Sequence, residues 1–394
     1  MNLPEKRSIL FVDDEPNLLM GLKRSLHAYR HLWDMAFARG GAEALAFLEN
    51  QPADVILTDF RMAGMTGIEL LREVKERYPH VIRVIFSGEV DQSLVMKSVQ
   101  IAHQFIAKPC RADHLKEKIE QTISLRHELE DDALRAIVCR IDALPSLPAL
   151  YGEILAELKA PSPSIKKVGQ IITSDIAMSS KILQLVNSAF FGLRHRITSP
   201  EQAALLLGLD IVKSLVLSLQ IFTQFDVPKA FASLVKGLWQ HSLNTGQLAK
   251  KLAENKNQSR EVADQAFMAG LLHDCGKLVM LANFPQQMKA IAAQKPSTFI
   301  EFLHLEQAVF GVTHAKIGAY LMGLWGIPSP ITHAISFHHA PDAANETAFS
   351  ALTAVHIADY LDHCPEKAAN AALAAEFLDL VYLSRIGCAE LVPI

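Results

Sequence analysis

The first 125 residues alternate short apolar runs with amphipathic stretches. Ile9–Val12, Trp33–Ala38, Val55–Thr58, Val81–Phe86 and Gln104–Ala107 read as strands. Between them, Pro16–Tyr29, Ala42–Leu48, Ile68–Arg77 and Ser93–Ile101 space their apolar residues for a helix face. Strict alternation of the two predicts a doubly wound parallel sheet of five strands. The run at 55–58 is unbroken, as expected of a strand buried on both faces. Asp113–Arg140 contains neither glycine nor proline and predicts one long connecting helix. Beyond Ile141 the strand pattern disappears. Helical spacing continues through Ile171–Asn187, Pro200–Leu207, Ile211–Phe225 and a last helix around Ala371–Tyr382. The expectation is an α/β unit over 1–125, a helical connector over 126–142, an all-α unit over 143–362 and a helical extension over 363–394.

Open α/β sheets place their chemistry beyond the carboxyl ends of the strands, and the polar residues collect there. Asp13 and Asp14 end the first strand, Asp59 the third, Ser87 the fourth, and Lys108 with Pro109 the fifth. Three carboxylates repel one another unless a cation joins them, and hard Mg suits such oxygen ligands. Mg and the Lys108 amine would screen an attack by the Asp59 carboxylate on an electron-rich phosphorus. The Ser87 hydroxyl would donate to a phosphoryl oxygen. On these residues the segment from about 6 to 125 resembles the receiver domain of bacterial two-component response regulators, a flavodoxin-like fold. The resemblance implies that Asp59 is the phosphoacceptor, that Asp13, Asp14 and Asp59 hold Mg, and that Lys108 is the paired lysine. It makes Ser87 and Phe105 the switch pair and a sensor histidine kinase or phosphotransfer protein the phosphoryl donor. The family's Met-Pro after the acceptor loop is Met62-Ala63 here, a departure that bears on loop stiffness.

The helical half carries polar side chains where its pattern calls for apolar ones. His241 lies on the stripe Leu234, Leu238, Thr245, Leu248, Leu252. His273 and Asp274 interrupt an apolar segment, with Lys277 one turn later. His314 shares a face with Ile317, Leu321 and Leu324, His338 and His339 end an apolar helix, and Asp359 aligns with Leu352 and Val355. A buried carboxylate needs a cation or donors. Converging imidazoles and carboxylates are ordinary ligands for Fe, Mn or Zn. The stretches LPSLPAL, SDIAMSSKILQLVNSAFFG, LLLGL, LLHDCGKL, VFGVTHAKIGAYLMGLWGIP and AISFHHAP resemble the HDOD domain from about Leu144 to Leu361. That domain is a relative of the HD phosphohydrolases and of HD-GYP cyclic di-GMP phosphodiesterases. The resemblance implies one metal on His241, His273, Asp274 and Asp359, a second on His314 with His338 or His339, and Lys277 facing a phosphate. No Gly-Tyr-Pro loop follows His338-His339, which counts against hydrolysis of cyclic di-GMP, and HDOD domains are generally regarded as signalling or scaffold modules. Three readings stay open: a buried polar cluster with Lys277 as counter-ion, a metal-dependent phosphodiesterase, and a module that binds a nucleotide without hydrolysing it.

Composition narrows the setting. A net charge of -4 and the lack of a basic helix give no footprint for direct nucleic-acid binding. No long apolar run is free of charge, so no membrane span is expected. Five cysteines, odd in number and without a CxxC pair, read as reduced thiols of a cytoplasmic protein. Nine of the sixteen histidines lie beyond residue 240, which concentrates interest on the helical half. Thr122 and Arg126 fall on one seam of the connector, so its heptad is imperfect and a homodimer through it stays open. The sequence thus reads as a phosphorylation-dependent regulator whose downstream target is unknown.

Overall fold

A computed structural model describes residues 6–88, 101–124, 132–139, 141, 145–146, 148–187, 196–209, 211–212, 223–224, 232–363, 374 and 377–392. Five strands, β1 (Arg7–Val12), β2 (Trp33–Ala38), β3 (Val55–Thr58), β4 (Ile82–Ser87) and β5 (Gln104–Ala107), form a parallel sheet in the order β2-β1-β3-β4-β5. Helices α1 (Pro16–Ser25), α2 (Gly41–Asn50), α3 (Gly67–Arg77) and α4 (Ala112–Ser124) flank it. The register sets Val12 beside Thr58 and Ser87 beside Ala107. Asp13, Asp59 and Lys108 are each the next residue, so the register itself delivers them to one edge. Entry to α3 is fixed locally by a capping box, with Glu69 N donating to Thr66 Oγ1 at 3.3 Å and Thr66 N to Glu69 Oε2 at 2.9 Å. Gly67 admits no side chain, because a Cβ there would fall 2.0 Å from the Asp59 carbonyl oxygen. The acceptor loop folds back on its own strand at that point.

The second half is helical. In chain order it contains α5 (Asp132–Val138), α6 (Pro148–Lys159), α7 (Ile165–Thr173), α8 (Ile176–Val186), α9 (Pro200–Leu207), α10 (Ala232–Asn255), α11 (Arg260–Leu272), α12 (Cys275–Asn283), α13 (Pro285–Ala293), α14 (Phe299–Phe310), α15 (His314–Leu324), α16 (Ser329–Phe337), α17 (Ala351–His363) and α18 (Leu380–Arg385). The stretch Ile171–Asn187, expected as one helix, is divided. Asp175 takes an extended backbone and its carboxylate accepts from Met178 N at 2.8 Å, so it caps α8 after α7 has ended. Most of the expected helix at Ser93–Ile101, positions 213–222 and 225 of the apolar stretch and the middle of the connector lie outside the described residues. Thr223 and Gln224, expected in a helix, instead pair in parallel with Pro145 and Ser146 as a short strand. The expected last helix is broken before Leu380, where α18 starts and Asp379 caps it by accepting from Tyr382 N. No helix among the described residues is long and apolar enough to cross a membrane.

One apolar core spans both halves. It runs from Phe11, Leu57, Val84 and Ile106 through Leu115 and Ile119 of α4 and Leu134 and Val138 of α5, then into Ile182, Leu271, Tyr320 and Val355. The two units are packed into each other, not strung on a linker.

Candidate functional site

At the sheet edge, Lys108 Nζ donates to Asp13 Oδ2 at 2.5 Å and to Asp59 Oδ1 at 2.6 Å. The second oxygen of Asp59 accepts from Arg61 N at 2.7 Å, and Asp14 Oδ2 accepts from Ala63 N at 2.8 Å. A proline at 63 has no such proton to give. The departure from the Met-Pro pattern therefore adds a bond between the acceptor loop and Asp14. Asp59, Ser87, Lys108 and Arg61 open onto a cavity of about 860 Å³ whose other walls include Leu18, Leu22, Phe86 and Cys110. Two of the three carboxylates share one amine here, and the excess negative charge fits a hard divalent ion. Phe105 is half-buried and packs against both apolar clusters of the sheet, one on each face.

The second centre forms where α10, α11, α12, α15, α16 and α17 meet. Glycines allow the approach: a Cβ on Gly270 would lie 2.7 Å from Gly246 Cα, so α10 and α11 touch backbone to backbone. His241 on α10 thereby reaches His273, with the Nε2 atoms 3.1 Å apart. His273 ends α11 and Asp274 precedes α12, so the dyad sits at a helix junction with both side chains buried. His314 opens α15, and its Nε2 lies 3.0 Å from Asp274 Oδ1 and 3.0 Å from His339 Nε2. Asp359 Oδ1 lies 3.1 Å from His241 Nε2. Donor atoms fall into two groups, each within 4.8 Å: Asp274 with His314, His338 and His339, and His241 with His273 and Asp359.

Outer contacts orient the rings. Nδ1 of His273 bonds the Gly270 carbonyl at 2.7 Å and Nδ1 of His338 bonds the Ile335 carbonyl at 2.7 Å. Nδ1 of His241 meets Asp362 and Nδ1 of His314 meets Glu306, both at 2.7 Å. Carbonyls and carboxylates on Nδ1 fix a tautomer that turns Nε2 toward a bound ion. Burial and the neighbouring rings hold His338 and His339 well below the ordinary histidine range, and burial lowers His273, so the neutral ring is favoured at all three. Burial opposes charge on His241, but Asp359, Asp362 and Asp274 outweigh it and push that ring up to about 10. His338 Nε2 is fully buried and has no hydrogen-bond partner among the described residues. A bare lone pair in that place is costly unless it meets a cation. By donor chemistry the cluster fits a pair of borderline divalent ions. Lys277, read from sequence as a phosphate contact, donates to Asp274 Oδ2 at 2.7 Å and lies 5.6 Å above the Phe299 ring.

Comparison with known proteins places both halves. The HDOD domain family matches residues 144–341, and the response regulator receiver domain family matches residues 9–120. The chain belongs to the HDOD family. Its HDOD match covers half of the sequence, preceded by the receiver. An uncharacterized protein of Treponema pallidum (strain Nichols) is 30% identical over 215 residues, 54% of this chain and 40% of that one. The hydrogenase transcriptional regulatory protein HoxA of Cupriavidus necator is 37% identical over 121 residues, 30% of this chain and 24% of HoxA. The chain thus spans less than half the length of these curated relatives. Among solved structures, the MmoQ response regulator from Methylococcus capsulatus str. Bath aligns at a TM-score of 0.48 with 24% identity, over 59% of this chain and 92% of that one.

The HDOD match stops before α17. Asp359, which completes one of the two donor groups, lies past it, as do Asp362 and His363. Sequence reasoning passed over Glu306, Asp362 and His363. Glu306 had left a trace, since it sits on the apolar stripe Phe299, Phe302, Phe310 of α14 and is fully buried there. Asp362 and His363 lie in α17's last turn, before a more polar stretch, and nothing in the pattern distinguishes them from a solvated helix end.

Proposed function

We propose that the chain is a response regulator in which Asp59 accepts a phosphoryl group from a histidine kinase, a phosphotransfer protein or a small acyl phosphate. The observation that carries this reading is the convergence of Asp13, Asp14, Asp59, Ser87 and Lys108 at one sheet edge, beside an open cavity. Bound there by Asp13, Asp14 and Asp59, Mg would offset phosphoryl charge during transfer. The protein's own contributions follow from its geometry. Lys108 bridges Asp13 and Asp59 and so holds the acceptor carboxylate at the cavity. Phosphorylation turns the singly charged Asp59 carboxylate into an acyl phosphate carrying about one and a half to two negative charges, a net gain of about half to one charge placed further into the cavity. Lys108 then turns from Asp13 toward the new oxygens, Ser87 donates to one of them, and Phe105 follows into the space vacated. Incubation with acetyl phosphate and Mg is expected to add a phosphoryl group to the parent protein and none to Asp59→Ala, read by intact mass. Equal labelling of the two contradicts the assignment.

The HDOD half is the output, a signalling module that presents itself to a protein target. The bare nitrogen of His338 and the inward-turned rings favour a second property for it, the binding of two divalent ions by His241, His273, Asp274, Asp359, His314, His338 and His339. Such ions would supply a Lewis acid and a bound nucleophile for a phosphodiester. Elemental analysis of the purified chain, followed by incubation with cyclic dinucleotides, separates the alternatives. Metal without turnover fits a regulatory or nucleotide-binding module, metal with product fits a phosphodiesterase, and absence of metal leaves a polar scaffold.

A further inference from the structure

α15 touches the His/Asp centre at one end and the receiver at the other. At its amino end stands His314, fully buried, bonded to Glu306 and 3.0 Å from both Asp274 and His339. At its carboxyl end the Gly323 carbonyl accepts from Gln104 Nε2 of the receiver at 3.3 Å, and the same amide donates to Thr122 Oγ1 of α4 at 2.7 Å. Gln104 is the neighbour of Phe105 on β5. A Cβ on Gly326, two residues past the helix, would lie 3.8 Å from the Gln104 side chain. Tyr320, one turn earlier, has its hydroxyl 3.4 Å from Cys139 Sγ, and the Cys139 carbonyl accepts from Arg83 Nη2 at 2.8 Å. Across this seam Gln184 of α8 also donates to the His103 carbonyl at 3.2 Å.

Between its ends the helix has no slack. Every residue of α15 but Lys316 is buried. A Cβ on Gly276 would fall 1.9 Å from the His314 carbonyl oxygen, and one on Gly318 would fall 2.9 Å from Cys275 Sγ. α12, which begins just after Asp274, is therefore in backbone contact with α15. Packed cores do not deform continuously, and small helix shifts carry through them as rigid displacements. Eleven residues span about 16 Å at 1.5 Å each.

We propose that α15 is the lever by which the receiver sets the geometry of the His/Asp centre, with Gln104 as its handle. The proposal rests on the reading of that centre as a metal site gated by Asp59, and it names the element that does the gating. When β5 shifts at Phe105, Gln104 moves the carboxyl end of α15 and His314 moves with it. His314 and Asp274 then move together, because α12 is locked to the same helix, and both shift against His241 on α10 and Asp359 on α17.

The test uses the full chain at constant Mg, with and without beryllofluoride on Asp59, in the parent and in Gln104→Ala. Mn(II) affinity is measured by equilibrium dialysis, and amide exchange is followed over 314–324. In the parent, beryllofluoride is expected to change Mn(II) affinity by about fivefold or more, and to change exchange along α15. In Gln104→Ala both responses should fall below about half of the parental ones, while beryllofluoride still binds by ¹⁹F NMR. Tyr320→Phe, which removes the second grip, should weaken them in the same direction and serves if Gln104→Ala does not fold. Undiminished responses in the variants overturn the proposal. A chain that binds no Mn(II) overturns the metal reading alone, and exchange over 314–324 then decides the lever by itself.

Discussion

At the scale of single residues, the structure turns substitutions into measurable effects. Ala63 donates its amide proton to Asp14 at 2.8 Å, a bond that competes with a cation for that carboxylate. Ala63→Pro removes the donor, and a single hydrogen bond to a charged group is worth about 1.5–3 kcal/mol at most. Mg affinity is therefore expected to rise several-fold in Ala63→Pro, read by fluorescence or calorimetric titration, and an unchanged or weaker affinity shows that Asp14 is not restrained by the loop. Glu306 acts on His314 from outside the donor groups. Loss of an outer carboxylate commonly lowers metal affinity by about 10–100-fold, and Glu306→Gln is expected to do so in chelator competition while the fold persists. These two residues also mark what could be read from sequence. Asp13, Asp59 and Lys108 were legible because each follows an unbroken apolar strand, and parallel register brings strand ends together. Glu306 was harder to see, because a lone acidic residue on an apolar helix stripe becomes informative only once a histidine eight positions later is known to fold back on it.

At the scale of elements, strands were more legible than helix boundaries. Apolar runs of four to six residues gave all five strands to within a residue or two. The break between α7 and α8 escaped because the apolar period continues through it; only the carboxylate of Asp175, turned back on Met178 N, shows that the helix restarts. Helix contacts were beyond sequence altogether, since Gly276 reads as an ordinary helix glycine until α15 is laid against it. Gly276→Ala drives a methyl group into the His314 carbonyl and is expected to cost about 1–3 kcal/mol by overpacking, measured as a lower unfolding temperature. A second prediction concerns the seam. Burial, Arg83, and more distantly Lys75 and Lys181, hold His103 well below the ordinary histidine range, while the Cys139 carbonyl pulls the other way. An exposed ring gains a proton near pH 6.5 and the packed one does not. The stability contributed by the neutral ring is thus complete above that pH and is lost as pH falls below it, with a slope approaching about 1.4 kcal/mol per pH unit. Unfolding temperatures measured from pH 7 to pH 5 should fall less steeply in His103→Gln than in the parent; parallel curves show that His103 is not the group responsible.

At the scale of the whole molecule, a signal needs a physical route, and the shared core provides one. β4, β5 and α4 of the receiver are packed against α5 of the connector and α8 and α15 of the HDOD half, and a polar seam of Arg83, His103, Gln104, Cys139 and Gln184 runs between them. Under the proposed mechanism, charge placed on Asp59 would act on β4 and β5 through Ser87 and Lys108, and those strands are walls of the joint core. The two resemblances read from sequence each described one half. The joint between them was invisible there, because no pattern within either half records which apolar face the other will cover. Hydrogen exchange of the seam segments, residues 101–107, 132–139 and 318–327, with and without beryllofluoride and Mg, tests the account most directly. A change in protection on both sides of the seam in the parent, absent from Asp59→Asn, is the predicted result; protection that stays the same beyond residue 132 in the parent contradicts it.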